Sequence, residues 1–301
     1  MTQINLITNA DDFGLTESIC DAIETAFRKG ILTSTTLLAS SAHSSYAAAI
    51  AQRNPGLSVG VHLQLVAGEP VTADLSKIGT LITKNGNFYP GYLDFFKNWH
   101  LGKISASEIK TELINQIKKI MALGITPSHA DSHQHVHMHP SLLPIFIDAL
   151  KETGIRKMRD PVEPFKISLH KGIAVSKGNA IKIFFMNPFY KNWFRKRMSA
   201  SKILCPDSFF GQFYSGAMTE DKVAAFIDYL ERRYNAKGKH QPNSILVELM
   251  THPGSSASEY ENIPECDADF MRYRWADEFS MLLSPALKEK ISEAGIKLCG
   301  Y

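Results

Sequence analysis

The sequence predicts an α/β fold on a parallel sheet, and three observations carry that prediction. Short β-rich runs alternate with helix-period stretches about seven times, the pattern of successive βα units. Acids, imidazoles and one guanidinium follow several of those runs, where a parallel sheet gathers all its strand ends on one face. The 301 residues are 44% hydrophobic and 21% charged, which provides a sizeable core and excludes a disordered or fibrous chain.

Ile4–Thr8 reads as the first strand. Ile19, Ala22, Ile23, Ala26 and Phe27 then recur at helical spacing, and Gly30 stops the helix. Ser34–Leu38 and Leu57–Leu65 read as strands around a helix at Ala42–Arg53. The long connection at about 66–102, with turn residues at Asn85-Gly86 and Pro90-Gly91, exceeds an ordinary loop and predicts a functional insertion. A helix follows at Ser105–Leu123, with Ile109, Leu113, Ile117 and Ile120 on one face. Pro127–Asp131 is a short strand, Leu142–Thr153 a helix stopped by Gly154, and Lys157–Arg159 another strand. Residues 203–210, 245–250 and 296–299 read as later strands, and 219–236 and 270–293 as helices. A second insertion lies at about 165–202 within what reads as a single domain, 1–301. The alternation suits either a (β/α) barrel or an open doubly wound sheet. The absence of GxGxxG and GxxxxGK[ST] removes the usual phosphate-binding reasons for the open form.

Several function classes are set aside by composition. A net charge of +3 is too small to argue for nucleic acid, and no apolar run approaches a membrane span. The first residues do not read as a signal peptide. Cys20, Cys205, Cys266 and Cys299 are scattered and form no CxxC pair, so a reducing, cytoplasmic setting is expected.

The strand ends carry the chemistry. Asp11 and Asp12 follow the first strand. A cap or Asx turn explains one of them but not both. The sharper reading divides the work, with one carboxylate holding a metal and the other taking a proton from water. His62 ends an otherwise apolar run, where a histidine is more ordinarily a satisfied core residue. Five of the eleven histidines fall within 129–139, interleaved with Asp131, Val136 and Met138, which points to a metal or proton-transfer site. Spacing alone does not say which imidazole would be a ligand. Arg159 and His252 close two further runs. HExxH is absent. Gly56-Leu57-Ser58-Val59-Gly60 matches GxSxG, but a strand follows Ser58 where a nucleophile elbow needs a helix. Cys205 stands beside Pro206 with no obvious base.

Asn9-Ala10-Asp11-Asp12-Phe13-Gly14-Leu15, Thr33-Ser34-Thr35-Thr36, Gly60-Val61-His62-Leu63, Asp131-Ser132-His133-Gln134-His135-Val136-His137-Met138 and Val247-Glu248-Leu249-Met250-Thr251-His252-Pro253-Gly254 resemble the YdjC-like carbohydrate deacetylases. That family includes chitooligosaccharide deacetylases and a branch linked to hopanoid biosynthesis. Many members have a histidine where this chain has Gln134. The resemblance implies an irregular, TIM-like (β/α) barrel of about seven parallel strands. It implies one divalent ion, Zn²⁺ or Mg²⁺, held by Asp12, His62 and His133, with Asp11 as general base. By similarity to polysaccharide deacetylases, Arg159-Asp160-Pro161 places Arg159 as the residue that orients Asp11, and His252 as the acid for the leaving amine. The implied substrate is an N-acetylated amino sugar, soluble or lipid-linked. Another metal-dependent amidohydrolase or phosphoesterase, or a non-catalytic sugar- or metal-binding protein, is the alternative. The spare aspartate favours an enzyme. Which of His135, His137 and His139 support the site is left open, as is self-association.

Two aromatic segments admit two readings each. Phe88, Tyr89, Tyr92, Phe95, Phe96 and Trp99 either stack on sugar or pack the insertion onto the barrel. In 181–198, Phe184, Phe185, Met186, Phe189, Tyr190, Trp193 and Phe194 mix with five cations. That segment is either a helix packed on the rim or a lid or peripheral membrane contact.

Overall fold

The structure, a computed structural model, describes residues 2–163, 188–234, 242–255, 260, 263 and 270–301. β1 (Gln3–Phe13) is the axis of the sheet. Its side chains are nearly all buried, as expected of a strand covered on both faces. α1 (Glu17–Lys29) follows, capped by Thr16, whose Oγ1 accepts from the Ile19 amide at 3.1 Å. Gly30 ends it for want of space: a Cβ there would lie 2.2 Å from the Leu282 carbonyl oxygen. β2 (Ser34–Leu37), α2 (Ser44–Arg53) and β3 (Ser58–Leu63) come next.

The insertion at 66–102 carries a short 3₁₀ turn, Leu75–Ile78, and α3 (Tyr92–His100). It is pinned to α4 (Ala106–Ala122) by the buried Glu112. That carboxylate accepts from the Val71 and Thr72 amides and the Thr72 hydroxyl, at 2.8, 3.0 and 2.5 Å. Phe88 and Phe95 are buried in the core and Phe96 and Trp99 pack against it. The packing reading therefore accounts for these four aromatics.

β4 (Ala130–Ser132) leads into a 3₁₀ stretch, His133–Met138, interrupted by left-handed Gln134 and His135. α5 (Leu143–Thr153) ends at left-handed Gly154. Next come α6 (Pro188–Ala200), β5 (Ser208–Phe210), α7 (Glu220–Tyr234) and β6 (Ser244–Thr251). α8 (Trp275–Leu282), α9 (Pro285–Glu293) and β7 (Lys297–Leu298) follow. Residues 165–187 of the second predicted insertion lie outside the described residues.

The ladders between these seven strands are all parallel, in the order β4-β3-β2-β1-β6-β5, with β7 beside the first half of β1. The sheet curls into a half-barrel. Single parallel bridges, Ala130 to Met158 and Lys157 to Leu204, carry it on from β4 towards the residues before β5. The predicted strand Lys157–Arg159 thus contributes bridges without becoming a ladder. The predicted helix 270–293 is two helices, because Ser284 caps the second and Pro285 follows at its first turn, where a proline is tolerated. Among the described residues no helix is long and apolar enough to cross a membrane.

Candidate active site

The strand ends converge at the C-terminal end of the sheet. In a regular strand Asp11 and Asp12 would face opposite sides. Here the β1–β2 register shifts between Ala10 and Phe13, and Asp12 takes a left-handed backbone, φ 63°. Aspartate tolerates that conformation better than most residues. The bulge brings both carboxylates to one buried pocket.

Asp12 Oδ1 lies 3.5 Å from His62 Nε2 and 3.6 Å from His133 Nδ1. The three side chains are buried, and their ligand atoms fall within 4.8 Å of one another. Neither Asp12 oxygen has a hydrogen-bond partner, and His133 Nε2 also lacks one. A buried carboxylate without a donor is costly, and a cation is the simplest relief. Two ligands about 2.1 Å from a tetrahedral ion stand about 3.4 Å apart, close to the spacings found. The residues therefore fit a divalent ion held by Asp12, His62 and His133.

His62 and Asp131 are register partners across β3 and β4. His62 Nδ1 meets Asp131 Oδ1 at 2.7 Å, and Thr36 donates to Asp131 Oδ2 at 3.0 Å. Such a carboxylate fixes the ring and leaves Nε2 facing Asp12. Burial opposes a charge on His62, but Asp131, Asp11 and Asp12 outweigh it and raise the imidazole to about 9. Burial likewise opposes the charge of Asp12, yet His133, His62 and His252 hold its carboxyl below the usual value.

Asp11 belongs to a second group. Arg159, fully buried, donates to Asp11 Oδ2 and Oδ1 at 2.7 and 2.6 Å. The same guanidinium reaches Asp131 at 2.7 Å and Glu248 at 2.8 Å. Asn9 adds a bond to Asp11 Oδ1 at 2.9 Å. Burial works against the Asp11 charge, but Arg159 overrides it and keeps the carboxyl well below the usual range. Asp11, His62 and Asp131 are also close enough together to bracket an ion. Arg159 already supplies a permanent positive charge there, whereas no Lys or Arg side chain pairs with Asp12 among the described residues.

His252 follows β6. Its Nε2 stands 4.0 Å from Asp11 Oδ2, and its Nδ1 stands 3.9 Å from Glu278 Oε2. The Glu278 carboxylate accepts the His252 and Met218 amides at 2.6 and 3.0 Å. Burial first, with Arg159 and His62 adding to it, lowers the His252 imidazole below its usual value. Phe270 lies 5.2 Å from the His133 ring and stacks on Tyr273 at 4.8 Å, while Tyr273 meets His252 edge-on at 5.0 Å. One aromatic wall thus borders both imidazoles.

All six residues singled out in the sequence, Asp11, Asp12, His62, His133, Arg159 and His252, come together here. The other histidines of 129–139 that have described roles lie elsewhere. His129 stacks on Tyr301 at 3.6 Å, and His137 pairs with Ser132 at 2.5 Å in the core. His139 stacks on Phe96 of α3 at 4.6 Å. Ser58 opens β3 and bonds Ser128 at 2.9 Å, away from the strand ends. Burial pushes the Cys205 thiol well above its usual value, which removes it as a nucleophile. Sequence reasoning gave no role to Thr36, Glu248, Glu278 or Tyr301. Glu248 had a signal, as the one charge within the apolar run Ile245–Met250. Glu278 reads as an ordinary first-turn acid of α8.

The profile of the YdjC-like protein family matches residues 5–293. A carbohydrate deacetylase of Geobacillus stearothermophilus is 27% identical over 295 residues, covering 98% of this chain and 96% of the relative. A chitooligosaccharide deacetylase of Yersinia enterocolitica is 30% identical over 298 residues, covering 98% and 97%. A crystal structure from Enterococcus faecalis V583, named for cellobiose-phosphate cleavage, superposes with a TM-score of 0.74 at 24% identity, covering 100% and 98%, and shows the shared fold. Motifs at the strand ends, a curled parallel sheet and a match over nearly the whole chain lead to one conclusion: the chain belongs to the YdjC-like protein family.

Proposed function

We propose that this protein is a metal-dependent hydrolase that removes the N-acetyl group from an N-acetylated amino sugar and releases acetate. The observation that carries the reading is Asp12. Its buried, unbonded carboxylate sits between two imidazoles, while its neighbour Asp11 is separately held by Arg159. The names of the relatives supply the acyl-sugar chemistry. A divalent ion held by Asp12, His62 and His133 would polarise the amide carbonyl and lower the pKa of water towards about 7.

The remaining steps fall to the chain's own residues. Asp11 stays ionised and takes a proton from the attacking water. Arg159 fixes both Asp11 oxygens, so the carboxylate cannot swing towards the cation site. His252, whose Nε2 stands 4.0 Å from Asp11 Oδ2, delivers a proton to the departing nitrogen, because an amine leaves only when protonated. Asp11 and Asp12 oppose the lowering of the His252 imidazole by burial without reversing it. The wall of Phe270 and Tyr273 offers a flat apolar surface to a pyranose ring or an acetyl methyl.

Mixed imidazole and carboxylate donors favour Zn²⁺ over Mg²⁺. The reading includes one irregular, TIM-like (β/α) barrel domain over 1–301, in a reducing cytoplasmic setting. The buried Phe194 and Met198 support rim packing of 181–198 over membrane contact. Phe184, Phe185 and Met186 of that segment lie outside the described residues. The test is acetate release from N-acetylated amino sugars by metal-stripped protein resupplied with Zn²⁺ or Mg²⁺. Metal-dependent release supports the reading, and no release from any acetylated sugar with either ion refutes it.

A further inference from the structure

Arg159 is itself held from behind by residues that no step above uses. Its two terminal nitrogens face Asp11, with Nη1 also reaching Asp131 at 2.7 Å, and Nε–H is a further donor of a guanidinium with no exposure to water. Glu248 takes that donor at 2.8 Å. Its other oxygen, Oε2, accepts a short hydrogen bond from the Tyr301 hydroxyl. Burial and the adjacent Glu248 carboxylate push that phenol well above its usual value, so it remains a donor. The Tyr301 ring lies parallel to the His129 ring, 3.6 Å away and 8° from coplanar. His129 in turn lies flat over Gly60 of β3, where a Cβ would come within 2.5 Å of the imidazole. The chain of contacts therefore runs from the β3 backbone through His129, Tyr301, Glu248 and Arg159 to Asp11.

A guanidinium offers its donors in a rigid fork, so fixing Nε fixes the plane of the other two nitrogens. Without Glu248 a buried N–H would be left unpaired, and the guanidinium would turn to satisfy it. The bidentate grip on Asp11 would turn with it. We infer that Glu248 and Tyr301 are positioning residues, which hold the Arg159 plane and through it aim the Asp11 carboxylate. His129 serves as their backing wall, which gives a role to a histidine of the 129–139 run that is not among the candidate ligands. The inference rests on the deacetylase reading.

The test compares Glu248→Ala, Glu248→Gln and Tyr301→Phe in metal-loaded protein. Misplacing a reacting group by about 1 Å costs on the order of 10²-fold in rate, so Glu248→Ala should lose about that much kcat. Glu248→Gln should recover much of the loss, because its amide oxygen still accepts from Nε–H. Tyr301→Phe keeps the stacked ring and deletes only the hydroxyl, so it should lower kcat while the fold stays intact. In all three, KM should stay within about twofold, and bound metal should match the unaltered protein, because neither residue touches Asp12, His62 or His133. If Glu248→Ala fails to fold, Tyr301→Phe decides the matter. Unchanged kcat in Tyr301→Phe, or losses in which KM and metal content move together with kcat, would overturn the inference alone. No acetate release by the unaltered protein would take down the deacetylase reading and this inference with it.

Discussion

Asp12 and Asp11 show how adjacent residues of one type are given different surroundings. A single left-handed residue turns one carboxylate towards two imidazoles, and the other remains under a guanidinium. Replacing His62 or His133 by Ala should each remove a ligand and reduce bound Zn²⁺ in metal analysis of purified protein. Asp131→Asn should weaken binding by about 10- to 100-fold, the cost usual for a residue behind a ligand histidine. Asp11→Asn should keep its metal and lose about 10²–10⁴-fold in turnover. A metal-loaded Asp11→Asn variant with near-normal acetate release would exclude it as the base. The sequence displayed these groups because reactive side chains follow apolar strand runs, a pattern with little structural reason. It could not display Tyr301 or Glu278, whose partners are set by tertiary packing. Spacing also could not separate His133 from His129, His137 and His139. A left-handed kink at Gln134 and His135 decides which rings turn inwards.

α1 and α2 are tied by Glu24, which accepts from Arg53 and from Asn54 at 2.8 Å and pairs with Arg28 at 2.9 Å. Arg53 chiefly, with Asn54 and Arg28, lowers the Glu24 carboxyl to about 2 against the opposing effect of burial. Its unfolded value is about 4.3. A depressed acid contributes stability that is present above the unfolded value and is lost as pH falls through the folded one. Between about pH 4.5 and 2, the unaltered protein should lose stability that Glu24→Gln does not lose, read as converging unfolding temperatures. At α6 the two faces should separate. Phe194→Ala, at 0% exposure, should cost about 3–5 kcal/mol, whereas Phe189→Ser, at 85% exposure, should leave the unfolding temperature unchanged. Equal effects would contradict the rim packing. Element order was legible because periodicity survives in covered strands and amphipathic helices. Extents were less so. β1 runs on to Phe13 through polar residues that the site needs, and Lys157–Arg159 carries strand composition where the half-barrel affords only bridges.

Across the whole molecule, Arg159 is the tie between distant parts of the sheet. It follows the bridge at Met158 and contacts Asp11 of β1, Asp131 of β4 and Glu248 of β6, with its guanidinium 5.5 Å over the Phe209 ring of β5. Three acids on one buried cation are stable only while that cation remains. Removing one partner of a buried ion pair typically costs about 3–5 kcal/mol, because a charge is left uncompensated. Arg159→Met keeps most of the volume and removes the charge, so it isolates that term. Without the guanidinium, Asp11 loses the group that overrides its burial, and its carboxyl should rise above the unfolded value. An acid raised on folding binds its proton more tightly in the native state, so native stability then falls as pH rises. Metal-free Arg159→Met should accordingly unfold at lower temperature than the parent at pH 8 and recover part of the difference towards pH 5. The opposite slope, or a uniform offset across that range, would mean that Arg159 acts through packing rather than through charge. Adding Zn²⁺ should raise the unfolding temperature of both proteins, because Asp12, His62 and His133 do not touch Arg159, and metal bound to the folded state alone stabilises it by mass action.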